Sequence, residues 1–562
     1  MTLKKFSLAE FVMFALMCAY GFLFYQSISP YIFSELYTTD DAMQQTFPLW
    51  QAVYHDAFRE DPITEGMKGY LPPIHWELSY IVTLCTQSPV MTAHVMTCVQ
   101  LGLALCFLYL FVKQLTKSDI PAWFSIIWFL HSRNLPQRLT GGIPRGWAPF
   151  IILATLYFIA KKNQIGVLTI LFIGILTNPP ATFMCALCYG LYLFINVVRP
   201  ETRFDTKPQF VRYLIASPIL AGIALLSLQR PPEFGHMATL EEAEANPAFN
   251  AAGGRFPFVP LDSPFTQIKS VGTQAFQNKW HHLPTFFPQS YLLYTLIAVL
   301  TGIYVYSRRK KRELIPAELS VFLVSIFIVY FLSRFFAFQL YVPDRHLQYP
   351  LNIFWITAFT TVIWRLSQTT TQKKSEVRAV FNYLLLGTLL FYLGGDGLQG
   401  VANFNTKLDK FQRLYSWMRL NTDRSDVFAS HPKEIDLLPL ASIRKAYITE
   451  ETAHPFYSGY WNLVKRRYET SFRMLYARTS PEFLDAMGDE KIDYFIFPRS
   501  RFTERSLETA TSFSPFGQLV KRLVKKGEGN LMFTKILEGK YQDSIVYSDS
   551  DVIVVKTGLL PR

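Results

Sequence analysis

Thr38-Thr39-Asp40-Asp41-Ala42-Met43-Gln44-Gln45 follows the first long apolar run of the chain, in the first loop that leaves it. Two adjacent carboxylates beside a segment of membrane length are costly near hydrocarbon, and no opposite charge stands next to them in sequence. Two readings are open. In the plain one the pair is solvated, and Thr39 or Asp40 caps a helix starting near Ala42. In the other, the rest of the protein brings a substrate to the pair.

The chain around this stretch has the composition of a bilayer protein. Of its 562 residues 50% are hydrophobic, 16% aromatic and 17% charged, whereas a soluble chain carries about 25% charged residues. Several uncharged runs have the ~20-residue length that a hydrocarbon core demands. The net charge of +13 does not indicate nucleic acid, because most of the excess lies in short loops between apolar runs, where it signals topology. Cys18, Cys85, Cys98, Cys106, Cys185 and Cys188 all fall in or beside apolar runs, so no disulfide framework is indicated. Cys185 and Cys188, one helical turn apart, read as small buried residues. No N-x-S/T sequon occurs, which disfavours a glycosylating lumen. Lys4-Lys5 and the run after them resemble a signal peptide, but Tyr and Glu follow instead of small residues, so a retained signal anchor is expected.

Eleven spans are expected, at about 8–28, 89–111, 119–132, 146–160, 164–177, 181–198, 210–228, 289–306, 315–333, 347–364 and 379–395. With Lys4 and Lys5 inside, the inner loops receive Lys113 and Lys117, Lys161-Lys162, Arg199, the Arg308–Arg312 cluster, and Arg365 with Lys373-Lys374. Residues 29–75 and 229–288 are then outer loops, and Ile74–Thr86 suits an interfacial helix. The expectation is a polytopic α-helical membrane module over 1–400 and an extracytoplasmic α/β domain over 401–562. In that tail, Ser425–Ala429, Lys445–Thr449, Asp493–Phe497 and Ser544–Val555 read as strands, and Tyr457–Tyr476 and Pro481–Met487 as helices. It has no G-x-G-x-x-G nucleotide motif, and the chain shows no internal repeat.

An acidic pair in the first outer loop, an in-to-out first span, an interfacial helix, some eleven spans and an outer soluble tail together resemble the GT-C superfamily of membrane glycosyltransferases. The stretch Thr140-Gly141-Gly142-Ile143-Pro144-Arg145-Gly146-Trp147, with the tail, looks more like uncharacterised bacterial multi-pass members in or near that group. The resemblance implies transfer of a hexosyl or pentosyl group from a polyprenyl-phosphate-linked sugar at the outer face of the plasma (inner) membrane. The N-terminus would be cytoplasmic and the tail periplasmic, in the cell envelope. It maps the family's catalytic acids onto Asp40 and Asp41. Like charges side by side split their proton affinities, which suits one as base and one as binding group.

Displacing a polyprenyl phosphate needs a base for the acceptor hydroxyl and cations for the departing phosphate. Arginine binds phosphate through a bidentate fork. The expected topology places Arg133, Arg138 and Arg145 outside between spans three and four, Arg334 after span nine, and Asp344-Arg345-His346 before span ten. Arg138, Arg145, Arg334, Arg345 and His346 are therefore the substrate-binding candidates; snorkelling to the interface is the plain alternative for each. Gly141-Gly142 beside Arg145 would let backbone amides approach an anion at a helix start, or would simply make a tight turn. Asn178-Pro179-Pro180 reads as a turn between spans and His281-His282 as an exposed loop pair. No zinc spacing occurs; some family members use a divalent cation, but none is expected to be required here. The partners implied are the lipid-linked sugar, the bilayer and an acceptor that is glycan, lipid or protein. A glycolipid or polysaccharide transporter or polymerase is the alternative, disfavoured by the few charges inside the spans. A non-catalytic scaffold is a further one, and it predicts acids pointing into open solvent.

Overall fold

The computed structural model describes residues 7–132, 134–199, 201, 203–227, 229–276, 289–368, 372–394, 404, 406–527 and 529–562. Arg133, His281-His282 and the expected boundary at 400/401 lie outside the described residues.

The first two-thirds of the chain is helical. In order come α1 (Leu8–Ile32), α2 (Asp40–Thr46), α3 (Pro62–Gly69), α4 (Pro73–Thr86), α5 (Pro89–Thr116), α6 (Asp119–His131), α7 (Asn134–Leu139), α8 (Ala148–Ala160), α9 (Gln164–Ile175), α10 (Pro179–Val198) and α11 (Arg203–Ser227). The short α12 (Leu240–Ala245) and α13 (Pro264–Ser270) follow, then α14 (Gln289–Lys310), α15 (Ala317–Phe335), α16 (Arg345–Gln348), α17 (Pro350–Ser367) and α18 (Gln372–Gly394). A helix occupies each of the eleven expected ranges. Among the described residues six are long and apolar enough to cross a bilayer, Leu8–Ile32, Pro89–Thr116, Pro179–Val198, Thr206–Ser227, Tyr291–Lys310 and Ala317–Phe335, while α8 and α9 are shorter apolar helices.

Punctuation sets these boundaries. Ser88 caps α5 by accepting from Met91 N, Pro89 takes the position where a missing N–H costs nothing, and Lys117 ends the helix in the left-handed region. Helix α5 then packs on α6 and α8, and α10 on α11 and α15, around one apolar core. Many large apolar side chains nonetheless face outward, among them Ile215, Ile219, Leu225 and Leu226 of α11. Helix α4 is inverted: His75, Ser79 and Thr83 are buried whereas Leu78, Ile81 and Leu84 are exposed. In water such a surface is a liability; against hydrocarbon it is the stable arrangement.

The tail carries a five-stranded mixed sheet. It is built from β3 (Val427–Ala429), β4 (Lys445–Ala446), β5 (Tyr494–Pro498), β6 (Ile545–Ser548) and β7 (Val552–Lys556), in the order β4-β3-β5-β7-β6. Strand β3 is parallel to β4 and β5, while β7 is antiparallel to β5 and β6. The run Ser544–Val555, expected as one strand, is a hairpin, because Asp549 accepts from Asp551 N and Val552 N and reverses the chain. Helices occupy Ser458–Leu475 and Ser480–Met487 as expected.

Two features join this tail to the loop after α1. The two-residue strands β1 (Tyr37–Thr38) and β2 (Thr406–Lys407) pair antiparallel, Tyr37 opposite Lys407, immediately before the acid pair. One apolar core also takes Met43, Phe47, Phe58, Ile63 and Met67 from the loop together with Leu414, Phe428, Trp461, Phe495 and Val555 from the tail.

Candidate active site

Helix α2 begins at the acid pair itself. Thr39 is the cap, its Oγ1 accepting from Ala42 N at 3.0 Å, so neither aspartate is spent on that role. Asp40 and Asp41 occupy the first turn, where the exposed N–H groups favour negative charge. Asp40 Oδ1 accepts from Asp41 N at 2.9 Å. Being one residue apart, the two side chains leave the helix about 100° apart and meet different neighbours.

Asp41 meets the arginines. Arg145 Nη1 donates to its Oδ2 at 2.5 Å, and Arg145 Nε donates to the Arg138 carbonyl at 3.1 Å. Burial raises the proton affinity of Asp41, but Arg145, then Arg345 and Arg138, outweigh it and hold the carboxyl below its usual range. Arg138 lies on α7 and has no ion-pair partner among the described residues. Burial first, then repulsion from Arg345 and Arg145, brings its guanidinium down to about 10, which still leaves it charged at neutral pH. Arg345 heads α16; its Nη1 donates to Gln348 Oε1 at 3.0 Å, and Asp344 is 3.8 Å away. Three guanidiniums thus meet two carboxylates, Asp41 on Arg145 and Asp344 near Arg345, which leaves Arg138 unpaired among the described residues, an arrangement that an additional anion would relieve.

The glycine loop explains how these groups meet. Gly141 and Gly142 have φ of +98° and +61°, a region closed to most side chains. A Cβ on Gly141 would stand 2.8 Å from Thr39 Oγ1, and one on Gly142 would stand 2.3 Å from the Ala93 carbonyl oxygen. The loop is therefore wedged between α2 and α5, and it carries Arg145 to Asp41. Its amides are engaged within the protein: Gly141 N donates to Thr97 Oγ1 at 3.1 Å and Gly146 N to the Ile143 carbonyl at 2.9 Å. The expectation that they receive an anion is corrected by this; the tight turn is the structural fact, because a loop in such close contact has to satisfy its own donors. Asn178 caps α10 and also donates to the Pro144 carbonyl at 3.0 Å, bracing the same loop from behind. Gly142→Ala is expected to cost ~2–5 kcal/mol through overpacking and a left-handed backbone. A melting temperature within about a degree of the native value would contradict the wedge.

The remaining candidates lie apart. Arg334 donates to Gln267 Oε1 at 2.8 Å and lies over the Tyr330 ring, and no interaction joins it to the acid pair among the described residues. His346 is 5% exposed, its Nε2 bonded to the Leu340 carbonyl at 2.9 Å, and burial keeps it neutral. His346 thereby braces the connection that carries Arg345.

Sequence reasoning missed Tyr349, whose hydroxyl is buried with no hydrogen-bond partner among the described residues and within electrostatic reach of Arg145, Arg138 and Arg345. It reads in sequence as one more belt aromatic; only its place four residues after Arg345 sets it apart. Also missed was a cluster from the tail. Glu451 pairs with Arg255 at 2.9 Å, Gln44 Nε2 donates to Glu451 Oε2 at 3.4 Å, and His454 Nε2 donates to Gln44 Oε1 at 2.7 Å. Among the described residues no group of three His, Cys, Asp or Glu side chains is placed to hold a metal ion.

No protein-family description matches the sequence, and no curated protein does. Solved structures do match. The ArnT structure from Cupriavidus metallidurans bound to undecaprenyl phosphate aligns with 99% of this chain and 100% of its own, at a TM-score of 0.51 and 11% identity. The Archaeoglobus fulgidus oligosaccharyltransferase in its apo form aligns with 88% of this chain and 70% of its own, at 0.50 and 12%. The same archaeal enzyme, AglB, in complex with an inhibitory peptide and a dolichol-phosphate, gives the same values, 0.50 and 12%. At such identities the likeness is one of architecture, and it spans nearly the whole chain. With its acidic first-loop helix facing a cluster of arginines, the chain has the fold of the GT-C membrane glycosyltransferases.

Proposed function

We propose that the protein is a multi-pass glycosyltransferase of the plasma membrane that moves a hexosyl or pentosyl group from a polyprenyl-phosphate donor to an acceptor at the outer face. The observation that carries this reading is the Arg145–Asp41 ion pair, with Arg138 and Arg345 within electrostatic reach and Asp40 beside it. Asp40 has no ion-pair partner among the described residues, so the two acids divide the work. A carboxylate tied to guanidinium is a poor base, and Asp41 serves to orient Arg145. Asp40 takes the proton of the acceptor hydroxyl. The acceptor oxygen bonds to the anomeric carbon as the bond from that carbon to the phosphate oxygen breaks. The polyprenyl phosphate leaves with the electron pair, and the three arginines receive its charge.

The ligands named for the structural neighbours, undecaprenyl phosphate and dolichol-phosphate, support a donor of this chemistry. On the eleven-span reading proposed here, α2, α7 and α16 lie on one outer side, together with a tail domain from about 401 onward. No divalent cation is required, because the guanidiniums supply the charge; the acceptor is a glycan, lipid or protein.

The test uses the purified full-length chain in nanodiscs with hexoses and pentoses linked to undecaprenyl or dolichyl phosphate, and an envelope extract of the source cells as acceptor. Release of polyprenyl phosphate with at least one donor, dependent on the extract and undiminished by EDTA, is the expected result. No release from any donor, together with no binding of undecaprenyl phosphate, would sink the reading.

A further inference from the structure

Helix α2 has only seven residues, too few to hold a direction by its own hydrogen bonds. Its orientation is set by what touches it. On one side stand the glycine loop and Arg145. On the other, Gln44 lies one turn after Asp40, and residues at that spacing share a helix face. Gln44 is buried, and both ends of its amide are taken by the tail: Oε1 accepts from His454 Nε2 at 2.7 Å and Nε2 donates to Glu451 Oε2 at 3.4 Å. Glu451 is fixed in turn by Arg255 Nη2 at 2.9 Å and by its own amide, which donates to Asp436 Oδ1 at 3.0 Å. Arg255 is fixed by the Glu450 carbonyl, which accepts from its Nε at 3.1 Å. The two aspartates act electrostatically on Glu451. Three distant segments therefore meet at one seam: 40–44, Arg255 and 451–454.

We propose that Glu451, acting through Gln44, is a positioning residue for the acid pair, so that the tail sets the direction in which Asp40 reaches for the acceptor. The proposal rests on the glycosyltransferase reading. The contact is not what attaches the tail. That task falls to the shared apolar core, to Trp50 Nε1 donating to the Leu440 carbonyl at 2.8 Å, to Lys445 Nζ donating to the Arg59 carbonyl at 2.6 Å, and to the Arg424–Asp56 pair at 2.7 Å. Nor does it touch the donor side, where Arg138, Arg145 and Arg345 stand. Loss of the contact should therefore lower turnover and leave donor binding alone, since displacement of a reacting group by ~1 Å costs about 10²-fold in rate.

The experiment compares native protein with Glu451→Ala, Glu451→Gln, Gln44→Ala and Asp40→Asn in the nanodisc assay. It measures kcat, undecaprenyl phosphate affinity and melting temperature for each. Glu451→Ala and Gln44→Ala are expected to lower kcat at least ~10-fold with unchanged undecaprenyl phosphate affinity, and the double variant to be no worse than either single one. Glu451→Gln, which keeps an acceptor for Gln44 Nε2, should recover most of the rate. The proposal is overturned if Asp40→Asn is inactive while Gln44→Ala and Glu451→Ala turn over at the native rate. It is equally overturned if donor affinity and melting temperature fall in step with kcat, since that is the behaviour of a merely structural contact. An active Asp40→Asn variant would instead remove the parent reading, whatever Glu451 does.

Discussion

Asp40→Asn is expected to reduce sugar transfer by a factor of about 10²–10⁴ while undecaprenyl phosphate binding and melting temperature stay native. The substitution keeps the size of the side chain and its oxygen, so the bond from Asp41 N, 2.9 Å in the native chain, has an acceptor still. It leaves the Asp41–Arg145 pair untouched. What it removes is the one oxygen pair in the first turn of α2 able to accept a proton without first breaking an ion pair. Asp41→Asn should behave differently, because its loss frees Arg145 and disturbs the donor side, so affinity and rate should fall together. Equal effects of the two substitutions on affinity would mean that the acids do not divide the work.

The sequence makes one part of this site legible and hides the rest for a physical reason. Charge-free runs of membrane length, basic loops between them and the acids just after the first run follow from the solvation cost of charge, which acts residue by residue. The Gly141-Gly142 turn is legible for the same kind of local reason, although its amides turn inward, which only its packing against Thr39 and Ala93 decides. Which arginines converge is not local. Arg334 and Arg345 both flank one connection, but Arg334 in the last turn of α15 faces Gln267, whereas Arg345 comes within electrostatic reach of Asp41. His346, one residue on, points into the protein instead. Glu451 is the extreme case: 407 positions separate it from Gln44, and nothing in the stretch around it differs from any charged loop.

Arg145→Ala is expected to weaken undecaprenyl phosphate binding by at least ~10-fold, because it removes a charge-assisted, forked contact and leaves a partly buried carboxylate unpaired. Arg145 holds two protein groups at once, Asp41 through Nη1 and the Arg138 carbonyl through Nε. Among the described residues its Nη2 has no hydrogen-bond partner, which leaves that corner of the fork for a phosphate oxygen. Lysine cannot reproduce this geometry, since an ammonium is a point donor without a planar fork. Arg145→Lys should therefore recover the charge but little of the affinity. In the alanine variant Asp41 loses the first of the cations that hold its carboxyl down, while burial still raises it. Its pKa should rise, so binding of undecaprenyl phosphate at acidic pH should suffer less than at neutral pH, where the ionised carboxylate repels the phosphate. The measurement is undecaprenyl phosphate affinity of native, Arg145→Ala and Arg145→Lys protein between pH 5 and 8. If lysine restores full affinity, simple positive charge suffices and the forked contact from Asp41 through Arg145 to the departing phosphate is wrong.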